Sequence, residues 1–427
     1  MPSLSRTAPT GAYLAPNDVR DLVAQACPAK DYKGQRVLCI VPDATRTCPL
    51  GLVWQTLHGQ IGEACAAFDV MIALGTHQPM TEAEICGRLE ISLDERKSAY
   101  RRVEFINHQW DNPAALKEIG TIPAEEIRKL TDGLFAMDVP VEINKRVFDY
   151  DQIIIVGPVF PHEVVGFSGG NKYLFPGVAG PRILNFFHWL GAMVTNPMII
   201  GNKWTPVRRV VDRAGAMVHV PKLCFCLAVA PDKSLAGLFA GTPEGAWDAA
   251  SELSKQIHIT CVDRPFKQVL SCCPPMYADV WTGGKAMYKL EPVLADDAEL
   301  IIYAPHITEV SVTHGETLLE IGYHCRDYFH KQWDEFKHYP WGVIAHSTHV
   351  RGLGTFENGV ERCRVQVTLA SQIPESVCRK INLGYRDPAS IRKEDFENRE
   401  DEGVLLVPKA GEMLFQLRNP PKWAGGK

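Results

Sequence analysis

The stretch Arg36-Val37-Leu38-Cys39-Ile40-Val41-Pro42-Asp43-Ala44-Thr45-Arg46 decides the fold, because a short apolar run ends there in a polar loop. Similar runs recur along the chain, and they cover residues 36–41, 70–74, 152–156, 224–230, 268–272, 300–303 and 343–345. Helix-like segments lie between many of them, and the segment 81–93 opens with the capping box Thr81-x-x-Glu84. Buried strands that alternate with helices predict an α/β protein with largely parallel sheets.

The length of 427 residues and the apolar content of 46% predict more than one domain. Asp263-Arg264-Pro265 precedes a new strand-like run and a second α/β pattern. We therefore predict an N-terminal α/β catalytic and cofactor-binding domain over residues 1–265. A C-terminal α/β domain over residues 266–427 would complete the substrate cleft, with the active site between the two. In parallel sheets ligands bind beyond the carboxyl ends of the strands, where the loops after residues 41, 74 and 156 would meet.

Composition and charge exclude several classes of partner. The net charge is only -5, and the Lys and Arg residues form no basic stripe, which argues against a nucleic acid partner. No apolar run reaches the length of about 18 residues that a membrane-spanning helix needs, and residues 1–16 lack the apolar core of a signal peptide. A cytoplasmic location is therefore expected. The thirteen cysteines are odd in number and sit mostly in apolar contexts, so we interpret them as reduced core residues. The sequence is compatible with a homo-oligomer.

A glycine-rich segment, Pro161-His162-Glu163-Val164-Val165-Gly166-Phe167-Ser168-Gly169-Gly170-Asn171-Lys172, carries the richest chemistry. Glycines let the backbone approach a ligand closely, and a lysine follows them directly, so the segment predicts a bound cofactor. The alternative is a structural loop with a solvated lysine and an unrelated histidine. His162-Glu163 lacks the second histidine of a zinc-protease helix, which excludes that class.

Four motifs together resemble those of the nickel-pincer lactate racemase family. They are Asp43-Ala44-Thr45-Arg46, Gly75-Thr76-His77-Gln78-Pro79-Met80-Thr81, the glycine-rich segment, and its continuation through Pro176-Gly177-Val178 to His188. The resemblance is strong over most of residues 36–215. It implies a racemase or epimerase of a 2-hydroxy acid, which works by reversible hydride transfer to a pyridinium-type nickel-pincer cofactor.

The resemblance also implies how that cofactor is held. The nickel-pincer nucleotide, pyridinium-3-thioamide-5-thiocarboxylic acid mononucleotide carrying Ni, would be attached covalently to Lys172, and His188 would supply an imidazole to the nickel. Further cofactor contacts are expected from Asp43, Thr45, Ser168, Gly169 and Gly170. From the residues alone, a histidine between Phe187 and Trp189 is more typical of a core position. An alternative cofactor is noncovalent NAD, with Lys172 on a phosphate, although the chain lacks the Gly-x-Gly-x-x-Gly fingerprint.

His77 and His162 are the candidate acid–base pair, because a neutral imidazole can accept a hydroxyl proton and return it. The resemblance assigns them the same role, and the alternative for each is a capping or buried, hydrogen-bonded histidine. Arg46 presents a planar fork of donors that suits a substrate carboxylate, and the resemblance again agrees. The alternative for Arg46 is a structural ion pair with Asp43 that closes the turn.

A segment of the second predicted domain, Asp279-Val280-Trp281-Thr282-Gly283-Gly284-Lys285-Ala286, resembles a family segment that carries a glutamine and a lysine near the substrate. Lys285 matches the lysine, whereas Thr282 stands in place of the glutamine and Trp281 in place of a usual tyrosine. These departures change what the pocket can hydrogen-bond, which argues against lactate itself, and we expect lactate or a larger analogue as the substrate. They also leave open a catalytically silent homologue that binds the cofactor. The stretch from His306 to His314 is interpreted either as a substrate-recognition loop or as a loop with capping hydroxyls.

Overall fold

The computed structural model describes residues 4–45 and 47–426. The described chain forms two compact units, which we call the first and the second unit. The first comprises Met1–Phe160, Phe167–Leu184 and Arg208–Ile257, and the second comprises Pro161–Gly166, Asn185–Val207 and His258–Lys427. Both units thus draw on segments before residue 265. The division into residues 1–265 and 266–427, with a cleft between them, stays a prediction.

The strands are short, as the apolar runs predict. They are β1 Leu4–Thr7, β2 Arg36–Pro42, β3 Ala67–Ala73, β4 Phe105–Asn107, β5 Leu116–Ile122, β6 Val139–Asn144, β7 Gln152–Pro158, β8 Pro161–His162, β9 Gly166–Phe167, β10 Lys222–Val229, β11 Leu235–Gly241, β12 Ile259–Val262, β13 Phe266–Cys272, β14 Leu294–Ala304, β15 Gly354–Glu357, β16 Val360–Cys363, β17 Gln366–Ser371, β18 Gly384–Tyr385, β19 Val404–Val407 and β20 Leu414–Leu417.

The α-helices alternate with these strands through most of the chain. They are α1 Pro16–Ala26, α2 Leu50–Ile61, α3 Glu82–Arg88, α4 Leu93–Lys97, α5 Ala124–Leu130, α6 Pro181–Val194, α7 Asn196–Ile199, α8 Pro206–Ala216, α9 Pro243–His258, α10 Val280–Gly283, α11 Lys285–Tyr288, α12 Gly315–Ile321, α13 Arg326–Lys331, α14 Trp333–Phe336, α15 Trp341–Arg351 and α16 Glu375–Lys380. Among the described residues, no helix is both long and apolar enough to span a bilayer.

The first unit is built on a seven-stranded sheet in the order β1-β11-β10-β7-β2-β3-β4. Its strands β10, β7, β2, β3 and β4 run parallel, and β1 and β11 pair antiparallel at one edge. Alternate residues Val37, Cys39 and Val41 of β2 pack into one core with Trp54 of α2. The residues between them, Leu38 and Ile40, are equally buried. The strand therefore reads as one continuous apolar run because both faces of the sheet are covered.

The second unit is built on a five-stranded sheet in the order β18-β17-β14-β13-β19, in which every pair is parallel. Leu270 of β13, Ile301 of β14 and Ala370 of β17 meet in its core. Two mostly parallel sheets with interleaved helices confirm the predicted α/β fold class.

Six of the seven apolar runs fall on strands, and the seventh prediction is wrong. Residues 343–345 lie inside helix α15, whose positions 342–350 are all buried. A short apolar run cannot distinguish a buried strand from one turn of a helix that is buried on every side. The predicted helix over residues 81–93 is also too long, since α3 ends at Arg88. Its capping box is confirmed, with the Thr81 backbone N–H donating to Glu84 Oε2 at 2.7 Å.

A buried histidine in the first unit predicts how stability depends on pH. The His108 ring contacts the Ala179 carbonyl oxygen through Nε2 at 2.9 Å and the Asn144 amide through Nδ1 at 3.2 Å. Burial lowers the pKa of His108 to about 4. Between its ordinary pKa and this value the unfolded chain binds a proton that the native chain does not, so stability falls as the pH falls.

We expect the free energy of unfolding to fall by about 2 kcal/mol from pH 7.5 to pH 5 through His108 alone. His108→Gln, which keeps a donor and an acceptor but does not titrate, should have a correspondingly shallower pH dependence in urea denaturation. His219→Gln, at an exposed position of the same unit, is the control for the loss of a histidine. Equal pH dependence of wild type and His108→Gln would contradict the assignment.

Candidate active site

Two loops of the first unit meet at one edge of the large sheet. Strands β2 and β3 are parallel neighbours, Asp43 directly follows β2, and Gly75 to His77 follow β3. The Gly75 backbone N–H donates to the Gly177 carbonyl oxygen at 2.9 Å, which joins this edge to the loop that carries Lys172. The structure therefore brings these loops together beyond the carboxyl ends of the parallel strands, as the sequence predicts.

Asp43 and His77 form a close carboxylate–imidazole pair. Asp43 Oδ2 lies 2.5 Å from His77 Nδ1, and the side chain of Asp43 is 9% exposed against 34% for His77. An ionised carboxylate only accepts hydrogen bonds, so the Nδ1 of His77 carries the proton. Its Nε2 is then the nitrogen with a free lone pair, and in this tautomer the ring can act as a general base.

The second carboxylate oxygen of Asp43 organises its own loop. Asp43 Oδ1 accepts hydrogen bonds from the Thr45 hydroxyl at 2.6 Å and from the Thr45 backbone N–H at 3.1 Å. Such a turn fixes the carboxylate in one orientation. Arg46 lies outside the described residues, so the predicted substrate contact of Arg46 and its alternative ion pair with Asp43 both stay predictions.

The Gly169-Gly170 turn has a geometry that only glycine satisfies easily. Gly169 has a φ of +92° and Gly170 one of +60°. A Cβ on Gly170 would lie 2.8 Å from the Pro243 carbonyl oxygen and 2.9 Å from Trp247 Cβ. Ser168, which precedes the turn, is buried, and its hydroxyl donates to the Pro158 carbonyl oxygen at 3.0 Å. The three residues shape the loop, and their contact with a cofactor stays a prediction.

A buried arginine, which the sequence reading missed, holds this turn from within the first unit. Arg208 of α8 is fully buried, and its guanidinium donates to the Phe167 carbonyl oxygen at 2.5 Å and to the Gly169 carbonyl oxygen at 3.5 Å. It also stacks over the Trp247 ring at 3.9 Å and pairs with Asp212 at 3.7 Å. The sequence does contain an indication that Arg208 is buried, because Arg208 lies on the same helical face as the apolar Val211.

Lys172 and His188 have the accessibility that holding a cofactor requires. In the stretch 164–180, which is otherwise buried, Lys172 alone is partly exposed. His188 is likewise partly exposed between buried Phe187 and Trp189, in α6. A primary amine suits a covalent link, and an imidazole suits a borderline metal such as nickel. The residues therefore fit the group that the resemblance implies.

In the second unit, the His162 ring is 7% exposed and has two partners at the same nitrogen. The Val164 backbone N–H donates to His162 Nδ1 at 3.1 Å, and Glu163 Oε2 lies 3.3 Å from that atom. Lys289, at the end of α11, donates to the Pro161 carbonyl oxygen. The backbone just before His162 is thus anchored by a buried ammonium group.

Trp281 lies in a group of aromatic rings of the second unit. Its ring centroid is 4.1 Å from that of His346 and 4.5 Å from that of His314. His346 also approaches the Tyr323 hydroxyl at 3.5 Å. Burial, followed by the charges of His349, His314 and His188, holds the pKa of His346 well below its usual range. His346 is therefore neutral at pH 7, which allows close stacking on the indole without a charge.

Thr282 and Lys285 differ in the contacts that their side chains make. The Thr282 hydroxyl donates to Asp279 Oδ1 at 2.8 Å, and the same carboxylate oxygen caps α10 through the Thr282 backbone N–H at 3.0 Å. Lys285 is buried, with its ammonium group 4.7 Å from the centroid of the Tyr277 ring. Thr282 thus has a structural partner, while Lys285, three residues later in the chain, places a buried amino group over the Tyr277 ring.

The loop from His306 to His314 is tied to this segment of the second unit by hydrogen bonds. His306 Nε2 lies 3.0 Å from the Tyr277 carbonyl oxygen, and Asp279 Oδ2 accepts from the Val312 backbone N–H at 3.1 Å. The Ser311 hydroxyl accepts from the His314 backbone N–H at 3.1 Å. These contacts agree with the reading as a loop with capping hydroxyls, and a role in substrate recognition stays a prediction.

His346 and His349 are polar residues that sequence reasoning missed. Both are buried in α15, three residues apart and thus on one helical face. Burial lowers the pKa of His349 to about 4, while the charge of Glu163 raises it and that of His188 lowers it. The sequence pattern that could have identified them is the spacing His346-x-x-His349, which places the two rings on one face only if the segment is helical.

Within residues 4–45 and 47–426, no group of three or more His, Cys, Asp or Glu side chains has metal-site geometry.

The chain is thus an α/β protein in which a carboxylate–histidine pair and a glycine–lysine loop lie at one edge of a largely parallel sheet. Residues 24–199 match the family model of the lactate racemase N-terminal domain. A crystal structure of a Thermotoga maritima protein is 34% identical, with a TM-score of 0.87, and the alignment covers 96% of this chain and 99% of that one. Residues 24–199 of the chain therefore belong to the family of the lactate racemase N-terminal domain.

More distant relatives carry the name of an activity. The lactate racemase of Thermoanaerobacterium thermosaccharolyticum is 25% identical over 280 residues, which cover 63% of this chain and 60% of that protein. The lactate racemase of Lactiplantibacillus plantarum is 21% identical over 285 residues, covering 63% and 59%. The chain thus matches about three-fifths of the length of these relatives. The apoprotein structure from T. thermosaccharolyticum shares the fold, with a TM-score of 0.67, 18% identity and coverage of 93% of both chains.

Proposed function

We propose that this chain is a racemase or epimerase of a 2-hydroxy acid, lactate or a larger analogue, and that it acts in the cytoplasm. The observation that carries the proposal is the Asp43–His77 pair, which presents Nε2 of a partly exposed histidine as a base. The match of residues 24–199 to the lactate racemase N-terminal domain supports the same class of reaction. The residues that the motifs singled out for acid–base work, His77 and His162, would act on the substrate hydroxyl.

The cofactor would be a nickel-pincer nucleotide, held by Lys172 through a covalent bond and by His188 at the nickel. When bound, this group supplies a pyridinium ring that accepts and returns a hydride, chemistry that side chains alone do not offer. Asp43, Thr45, Ser168, Gly169 and Gly170 would shape the surroundings of the nucleotide.

The protein side chains would manage the proton and the carboxylate. His77 Nε2 would accept the proton of the substrate hydroxyl while Asp43 stabilises the resulting imidazolium ring. His162 would supply the proton when the hydroxyl forms again with the opposite configuration. Lys285 and Arg46 would bind the substrate carboxylate, since an ammonium group and a guanidinium group both attract an anion. Trp281 and Thr282 would line the substrate side and influence which side chain at C2 is accepted.

Denaturing mass spectrometry with peptide mapping tests the cofactor directly. Protein made in cells that also make the pincer nucleotide should carry a mass adduct on the Lys172 peptide and about one nickel per chain. Lys172→Arg should lose the adduct, and Lys233→Arg, at an exposed position, should retain it. An unmodified Lys172 with noncovalently bound NAD would replace this cofactor assignment with the pyridine-nucleotide alternative.

A chiral assay then tests the reaction on the loaded protein. Either enantiomer of a true substrate should give an equal mixture of both, because the equilibrium constant of a racemisation is one. Adduct and nickel without turnover on a broad panel of 2-hydroxy acids would instead indicate a silent cofactor-binding homologue.

A further inference from the structure

Glu163 lies beside the proposed acid–base residue His162, and nothing in the proposed mechanism yet uses it. Its Oε2 is 3.3 Å from His162 Nδ1, and its side chain is only 15% exposed. Partial burial weakens screening by water, so a carboxylate at this distance favours a protonated imidazole more strongly than a surface carboxylate would.

The nitrogen Nδ1 of His162 has one partner for each of its protonation states. Without a proton, Nδ1 accepts the hydrogen bond of the Val164 backbone N–H at 3.1 Å. With a proton, Nδ1 becomes a donor, and the Val164 N–H can no longer bind it. Glu163 Oε2 is then the acceptor within reach. If the backbone amide were the only neighbour, it would oppose protonation of the ring.

We propose that Glu163 is a positioning residue for His162, and that its carboxylate accepts a hydrogen bond from the protonated Nδ1 of His162 during the acid–base reaction. This inference rests on the proposed function, in which His162 exchanges a proton with the substrate oxygen. The His162 imidazolium gives its Nε2 proton to that oxygen, and the ring becomes neutral with its remaining proton on Nδ1, directed at Glu163. Glu163 stays ionised throughout. The arrangement reproduces in the second unit what Asp43 does for His77 in the first.

Other charged groups of the second unit surround this pair. Lys289 holds the Pro161 carbonyl oxygen next to His162, and its positive charge opposes a second positive charge on the ring. His349 of α15 interacts electrostatically with both Glu163 and His188. A carboxylate at residue 163 therefore offsets the positive charge of Lys289 near His162.

Histidine NMR on the cofactor-free protein tests the proposal without any need for turnover. In protein labelled with 15N at histidine, the His162 signals are assigned by their absence from His162→Gln. In Glu163→Gln, the titration midpoint of His162 should fall by about one to two pH units, because the anion that favours the protonated ring is lost. Glu163→Asp should restore part of the shift. Glu335→Gln, an exposed glutamate of the same unit, should leave the His162 titration as in wild type.

A His162 titration that is the same in wild type and Glu163→Gln would overturn the proposal. If Glu163→Gln does not fold, the intermediate midpoint expected for Glu163→Asp decides in its place. In loaded enzyme with a verified substrate, Glu163→Gln should lower kcat about tenfold or more while KM changes little. If the NMR shift is present but wild type racemises nothing, the contact is established and the proposed function fails. The two failures are thereby distinguishable.

Discussion

Replacing Arg208 with methionine is expected to lower the free energy of unfolding by about 3–5 kcal/mol, the usual cost of removing one partner of a buried ion pair. The guanidinium of Arg208 donates to the carbonyl oxygens of Phe167 and Gly169 and stacks on Trp247. Methionine can fill much of the volume but donates no hydrogen bond. Two buried carbonyl oxygens would lose a donor, and Asp212 would lose the nearest positive charge.

Urea denaturation of cofactor-free protein measures this loss, and Arg209→Met is the matched control. Arg209 is the next residue of α8, its side chain is 36% exposed, and it pairs with Asp132, which is 68% exposed. Its replacement should cost no more than about 1 kcal/mol. Similar losses in the two variants would show that Arg208 is not the residue that holds the Gly169-Gly170 turn.

The contrast between Arg208 and Arg209 shows why the burial of a single arginine is hard to predict from the sequence. Arg208 and Arg209 are the same residue type in adjacent positions, and only the packing of α8 makes one an interior group. Composition assigns arginine to the surface, and an exception becomes visible only when the helix is placed against Trp247 of α9. Helical periodicity would have raised the question, since Val207, Arg208, Val210 and Val211 are all buried.

The sequence predicts the position of a residue better when the residue directly follows a strand of a parallel sheet. Asp43 and His77 lie in motifs that follow two apolar runs, and the carboxyl ends of neighbouring parallel strands meet at one edge. Their contact was thus predictable, although its length of 2.5 Å and the tautomer of His77 were not. By contrast, His346 and His349 escaped notice because residues 343–345 were assigned to a strand. In a strand, positions 346 and 349 point to opposite faces, whereas in α15 they share one.

Asp43→Asn is expected to lower kcat/KM for a verified 2-hydroxy acid by about 10² to 10⁴-fold, the range that general acid–base catalysis contributes. Asparagine has nearly the same shape, so the loop should persist with its Thr45 hydrogen bonds. Its amide can donate to His77 Nδ1, which would favour the tautomer with the proton on Nε2 and remove the base. Asparagine also lacks the charge that stabilises the imidazolium ring after proton transfer.

The control for Asp43→Asn is Asp151→Asn, because Asp151 contacts the first residue of β2 while Asp43 follows its last. Asp151 accepts a hydrogen bond from the Arg36 backbone N–H at 2.8 Å, at the start of β2, and it is exposed. Asp151→Asn should retain activity within about a factor of two, since an exposed contact of this kind contributes little. Both variants should first be shown to carry the Lys172 adduct in equal amount, so that a loss of cofactor is not mistaken for a loss of chemistry. If Asp43→Asn then racemises at the wild-type rate, Asp43 is only a structural residue of its turn. In that case the base is not His77 with its proton on Nδ1.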